Sequence, residues 1–152
     1  MVLDYTLTQH AECYPSKVLA SNGGRHILNL LLSADCDNGW FLGCGSYVSL
    51  DLYNDAAATS FEGTVVERAA NGNYYVEVTS TSNCYLVCQI DDHAEEWTNT
   101  WKTARPYNKT GDVVRAYELA PKDIIELSAE CFTATPTVGD SVELSGKKLA
   151  KA

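Results

Sequence analysis

The sequence predicts an all-β protein, mainly an antiparallel barrel or sandwich, with at most one short helix near 91–104. Three observations lead there. Short apolar or alternating runs recur along the chain, each bounded by Gly, Pro, Asn or Asp. Asn71-Gly72 lies between two such runs, "TVVERA" and "YYVEVTS", and Asn-Gly is the favoured pair for a tight hairpin. Helical periodicity is confined to "DDHAEEWTNTWKTA", where Trp97 and Trp101 stand four apart and would share one helix face.

Taken in order, "GRHILNLLLSA" is continuously apolar and reads as a buried strand or a short helix, which periodicity cannot separate. "WFLGCGSYVSLDLY" follows Gly39. In its second half Tyr47, Ser49, Asp51 and Tyr53 alternate with Val48, Leu50 and Leu52, as in one half-buried strand. "FEGTVVERAANGNYYVEVTS" predicts a hairpin with a type I′ turn at Asn71-Gly72. "CYLVCQI" reads as a strand covered on both faces. "DVVRAYELA" and "DIIELSAECF" are strands joined by a turn at Pro121-Lys122, and "DSVELS" is a last one. At least eight strands at turn-punctuated spacing fit a barrel or sandwich.

The totals agree with one domain. A chain of 152 residues can bury roughly 68–70% of its unfolded surface. Its hydrophobic fraction is 45%. No linker or repeat divides it. The organisation expected is an extended N-terminal arm over residues 1–22, one β-rich domain over 23–146, and a short basic tail over 147–152. With 20 acidic against 11 basic side chains, the net charge of -9 opposes binding to nucleic acid or anionic membranes. "MVLDYTLTQHAECYPS" has neither the basic nor the apolar region of an export signal, and "ILNLLLSA" is too short to span a bilayer. Cytoplasmic synthesis is therefore expected, and the sequon Asn108-Lys109-Thr110 should stay silent.

Chemistry-bearing residues cluster at several places in the chain. "DCDNG" carries Asp35, Asp37, Asn38 and Gly39. A calcium loop needs its Asn-Gly one residue later and a bidentate glutamate where Ser46 stands, so a hairpin turn is expected instead. The six cysteines are expected to be reduced and mostly buried. Cys84 and Cys88 would share one strand face about 13 Å apart, too far for one metal or one disulfide. Cys36 and Cys44 flank the turn and could meet only if oxidised. His10, His26 and His93 form no ligand spacing, although His93 sits in the acidic "DDHAEE". No catalytic residue, metal site or cofactor is predicted, and no enzyme. The remaining candidates are surfaces: Trp40, Trp97 and Trp101, or whichever of Tyr74 and Tyr75 faces outward, as platforms for a carbohydrate or host surface.

The order of segments carries one further indication. "TLTQHAECYPSKVLASNGG", "DCDNGWFLGCGSYVSLDLY", "NGNYYVEV" and "GDVVRAYELAPKDIIELSAECF" ending in "VGDSVEL" together resemble the head decoration, or auxiliary, proteins of tailed bacteriophages. The resemblance covers most of the chain, through turn-strand patterns rather than catalytic signatures. It implies a non-enzymatic β-rich virion protein on the capsid exterior, assembled in the host cytoplasm. The implied partners are the major capsid protein and further copies of the chain, with a trimer among the arrangements the resemblance implies. It also implies that residues before Gly23 and after Gly146 act as clamps.

Overall fold

The computed structural model describes residues 2–3, 11–17, 27–50, 52–88 and 106–152. The helix expected near 91–104 lies outside them. Among the described residues the chain is nearly all strand, with one 3-10 turn at Ala129–Cys131. The strands are β1 (Val2–Leu3), β2 (Cys13–Lys17), β3 (Ile27–Leu31), β4 (Phe41–Ser49), β5 (Leu52–Ala56), β6 (Ser60–Arg68) and β7 (Tyr74–Ser82). They continue with β8 (Tyr85–Val87), β9 (Pro106–Tyr107), β10 (Val113–Glu118), β11 (Ile124–Leu127), β12 (Ser141–Ser145) and β13 (Lys148–Lys151).

Two bodies of sheet result, beside the small β1–β9 pair. A closed barrel runs β10-β3-β5-β4-β8, antiparallel except for the β3–β5 pair. A six-stranded antiparallel sheet runs β13-β12-β6-β7-β11-β2. The barrel and sheet are both present, so the choice between barrel and sandwich resolves into a barrel backed by a sheet.

Why the barrel strands read as continuous apolar runs is now visible. Neighbouring residues on a strand point to opposite faces. Phe41, Leu86 and Tyr117 face a large core shared with the sheet residues Phe61, Val65, Val76, Val78 and Ile125. Their neighbours Leu42, Val87, Val114 and Ala116 fill the barrel interior with Leu30, Leu32 and Cys36. Both faces are covered, as "CYLVCQI" suggested. The shared core is knit by Phe41 and Phe61, whose rings lie 5.1 Å apart, one from the barrel and one from the sheet. On β6 and β7 one face is buried, and the sequence alternates accordingly.

Four local expectations are corrected. The alternating run from Tyr47 to Tyr53 is two strands: the chain reverses at Leu50, Ser49 pairs with Leu52, and Tyr47 faces Tyr53. The Asn71-Gly72 hairpin exists, but with a different turn. Gly72 takes φ 90 while Asn71 stays negative, and the Gly72 N–H donates to the Ala69 carbonyl at 3.0 Å. That is a type I turn followed by a left-handed glycine, the usual three-residue alternative to type I′. The tail expected at 147–152 is edge strand β13, paired with β12, and it buries Leu149 completely. Within the expected arm, residues 13–17 pair with β11 at the other edge of the sheet. Pro15 fits such an edge, where a missing N–H costs no ladder bond.

Candidate functional site

"DCDNG" is a structural hub. Asp37-Asn38-Gly39-Trp40 is a β-turn, with the Trp40 N–H donating to the Asp37 carbonyl at 3.4 Å and Gly39 at φ 87. It is not a hairpin between paired strands, because Cys36 bridges to Asn108 while the chain beyond enters β4. The carboxylates that a cation would need are engaged by the protein. Asp37 Oδ2 accepts the Ala11 N–H at 3.1 Å. Asp35 Oδ1 accepts the Thr110 N–H at 2.9 Å and its hydroxyl at 3.2 Å. Asn108 donates through Nδ2 to Asn38 Oδ1 at 3.0 Å and is fully buried, so a glycan on this sequon is incompatible with the fold.

Beside this turn lies a cluster of thiols that spacing did not reveal. An added Cβ on Gly39 would stand 2.5 Å from Cys131 Sγ and 3.3 Å from Cys13 Cβ. The Cys131 thiol points at the Glu12 carbonyl, 3.4 Å away, and burial pushes it up to about 12. Cys13 donates to the Val87 carbonyl at 3.5 Å, and Cys88 reaches the Cys13 carbonyl at 3.9 Å. The Cys13 and Cys88 thiols also hydrogen-bond each other, which raises Cys13 well above an ordinary thiol and lowers Cys88. The nearby Arg115 charge lowers Cys88 further, against burial.

The other three cysteines are separate. Cys84 and Cys88 flank β8 and both pack on the shared core. Burial holds Cys36 and Cys84 at about 12. Cys44 pairs across the barrel wall with Asp55, while Cys36 lies in the barrel interior, so neither contacts the other. All six are free thiols. Among the described residues, no three His, Cys, Asp or Glu side chains are placed to hold a metal ion. His10, His26 and His93 lie outside the described residues.

The aromatic candidates divide. Tyr74 is buried edge-on against Phe132, with ring centroids 5.9 Å apart, and Tyr75 occupies the opposite, half-buried face. Trp40 is half-buried beneath two ammonium groups, Lys148 at 5.6 Å and Lys147 at 6.0 Å from its ring centre. Such a ring offers little stacking surface. Trp97 and Trp101 lie outside the described residues. A cavity of about 310 Å³ is lined by Phe41, Leu42, Ala56, Asp55, Ser33 and Lys147 among others. Its Asp55 carboxylate accepts the Ser33 N–H at 3.2 Å and hydroxyl at 3.1 Å. That pairing ties the chain just beyond β3 to β5, and a carboxylate alone is a weak base for a serine hydroxyl.

The β4–β5 tip is different in character. Tyr47 is 62% exposed, Val48 44% and Leu50 90%. Leu50 sits at φ 45, a left-handed conformation that a branched side chain resists. The Leu50 N–H donates to Tyr47 Oη at 2.9 Å, and the Tyr47 and Tyr53 rings meet edge to face 5.4 Å apart. The described residues Tyr47, Val48 and Leu50 thus present apolar surface to solvent at the end of the β4–β5 pair. Compared with family models, curated proteins and solved structures, the chain matches none of them.

Proposed function

We propose that this chain is a non-enzymatic structural accessory protein that docks on the outer surface of a tailed-phage capsid and stabilises it. The observation that carries the reading, beside the resemblance in segment order, is the β4–β5 tip. Leu50, Tyr47 and Val48 project into solvent from a strained turn that the flanking pairs hold in place. Exposed apolar groups on a rigid support are what docking uses. Many weak contacts repeated over one shell would add up to reinforcement. The net charge of -9 argues against nucleic acid as the partner. Self-association, including a trimer, belongs to the same proposal.

The test is co-sedimentation of the purified protein with empty phage-type capsids, using Leu50→Gly as the control. Glycine suits φ 45, so its own entropy cost, about 0.5–1 kcal/mol, is offset by released strain of about 1–2 kcal/mol. The fold should keep its stability while the apolar tip is lost. Saturable binding by the wild type, weakened at least tenfold by Leu50→Gly, is expected. Absence of binding by the wild-type protein to a matched capsid overturns the proposal.

A further inference from the structure

We infer that Cys13 and Cys88 are an oxidation site: a small-molecule disulfide such as oxidised glutathione converts the two thiols into a disulfide that ties edge strand β2 to the barrel. The geometry is specific to this pair. Cys13 opens β2 in the six-stranded sheet, and Cys88 immediately follows β8 in the barrel wall. Each thiol shifts the other's proton affinity, Cys13 upward and Cys88 downward. Cys13 Sγ lies 3.5 Å from the carbonyl of Val87, the residue before Cys88, and Cys88 Sγ lies 3.9 Å from the carbonyl of Cys13 itself. Each side chain therefore lies close to the main chain that carries the other, so the bond would join groups that already meet where the sheet docks on the barrel. Cys131, the third thiol nearby, is committed elsewhere, with the Glu12 carbonyl at 3.4 Å and Ser128 Oγ at 3.8 Å.

The chemistry is ordinary thiol–disulfide exchange. Cys88 is the half-buried member of the pair and the one solvent can reach, whereas Cys13 is 6% exposed. Its thiolate attacks one sulfur of the oxidant, forming a mixed disulfide and releasing one small thiolate. Cys13 loses its proton to solvent and attacks the Cys88 sulfur, forming the protein disulfide and expelling the second small thiolate. The protein loses two protons and two electrons, and the oxidant becomes two thiols. The neighbouring Cys13 thiol and the Arg115 charge lower Cys88 and so favour the first step.

The bond would close a loop between positions 75 residues apart, which restricts the unfolded chain strongly. It would also fasten an edge strand whose ladder to β11 is interrupted by a register shift. The site stands whether or not the chain docks on a capsid. Its failure and that of the docking proposal are read from different experiments.

The full-length protein is incubated with oxidised glutathione, quenched with acid, and its thiols are counted after denaturation. The count should fall from six to four, with the mass lower by two hydrogens. Peptide mapping should join Cys13 to Cys88, and dithiothreitol should reverse the change. The cross-linked protein should melt roughly 10 °C higher than the reduced one. Cys88→Ser should keep all its remaining thiols, and Cys131→Ser should oxidise like the wild type. A glutathione adduct that stays on Cys88, a bond through Cys131, or no oxidation would each overturn the assignment. An unchanged or lower melting temperature of the bridged protein would overturn its role as a tie.

Discussion

Gly39→Ala probes the junction on which the barrel, the sheet and the thiol cluster converge. Two costs can be separated. Gly39 sits at φ 87, where alanine is disfavoured by about 1–2 kcal/mol. Its new methyl would also stand 2.5 Å from Cys131 Sγ, 3.2 Å from the Glu12 carbonyl and 3.3 Å from Cys13 Cβ. Overpacking of that kind costs about 1–3 kcal/mol. The sum, about 2–5 kcal/mol, is a large share of the 5–15 kcal/mol or so that holds a domain together. At about 2–4 °C per kcal/mol for a chain of this size, the melting temperature should drop by roughly 4–20 °C. Urea melts followed by circular dichroism measure the change, and Cys131→Ala supplies the control. Alone it leaves a small void, but with Gly39→Ala the new methyl occupies the vacated space. The double variant should therefore be about 1 kcal/mol or more better than the sum of the singles, with the backbone cost remaining. Strict additivity, or a single variant within about 0.5 kcal/mol of wild type, would refute the packing account.

Phe41→Ala removes a fully buried ring from the core shared by barrel and sheet, and it should cost about 3–5 kcal/mol. A cycle with Phe61→Ala should show about 0.5–1.5 kcal/mol of coupling, whereas zero coupling would mean that the barrel and sheet pack independently. Glu126 Oε2 accepts from Asn73 Nδ2 at 2.8 Å and Asn71 Nδ2 at 3.3 Å, fastening the β6–β7 loop to β11. Glu126→Ala should destabilise by about 1–2 kcal/mol. The hydrogen bond and charge of Glu126 raise the Tyr75 phenol, so Glu126→Gln should bring its titration back toward lower pH, read from tyrosinate absorbance. With a thiol reagent at pH 8, Cys88 should react first, while Cys36, Cys84 and Cys131, held at about 12 by burial, should react only on unfolding; early labelling of any of those three would contradict the core described above.

What the sequence made legible was whatever is written locally. The β6–β7 hairpin announces itself because one face is buried and Asn71-Gly72 punctuates it. The doubly covered β8 announces itself as an unbroken apolar run. Closure of the barrel is not local: β3 pairs in parallel with β5 and antiparallel with β10, more than eighty positions further on. The Tyr47–Tyr53 run misleads for a physical reason. The reversal leaves the odd-even count intact, so Tyr47 and Tyr53 share a face as expected, but across a strand pair instead of along one strand. Leucine at the reversal hides it, since a turn with positive φ is usually announced by Gly or Asn. At the C-terminus Lys147 and Lys148 suggest solvent, yet both lie over the Trp40 ring while Leu149 on β13 enters the core. The Cys13–Cys88 contact leaves no trace in spacing, because it depends on how the sheet docks on the barrel.

The same docking constrains where a function can reside. The first residues of β4 (Phe41 and Leu42), Leu86 and Val87 of β8, and Val114, Ala116 and Tyr117 of β10 divide between the barrel interior and the shared core, so these side chains are committed to packing. Asp35, Asp37 and Asn108, which read as site residues in isolation, are committed to holding the turn and its neighbours together. Among the described residues, the projecting end of the β4–β5 hairpin carries the most exposed apolar side chains. There the chain keeps leucine at φ 45 and 90% exposed, a choice that costs stability through strain and exposes apolar surface to water. Folding alone would favour glycine or asparagine at that position. A residue that is unfavourable for the isolated protein is explained when a partner covers it; under the docking proposed above, Leu50→Gly would lose capsid binding without losing stability, and that combination would be the signature of the exchange.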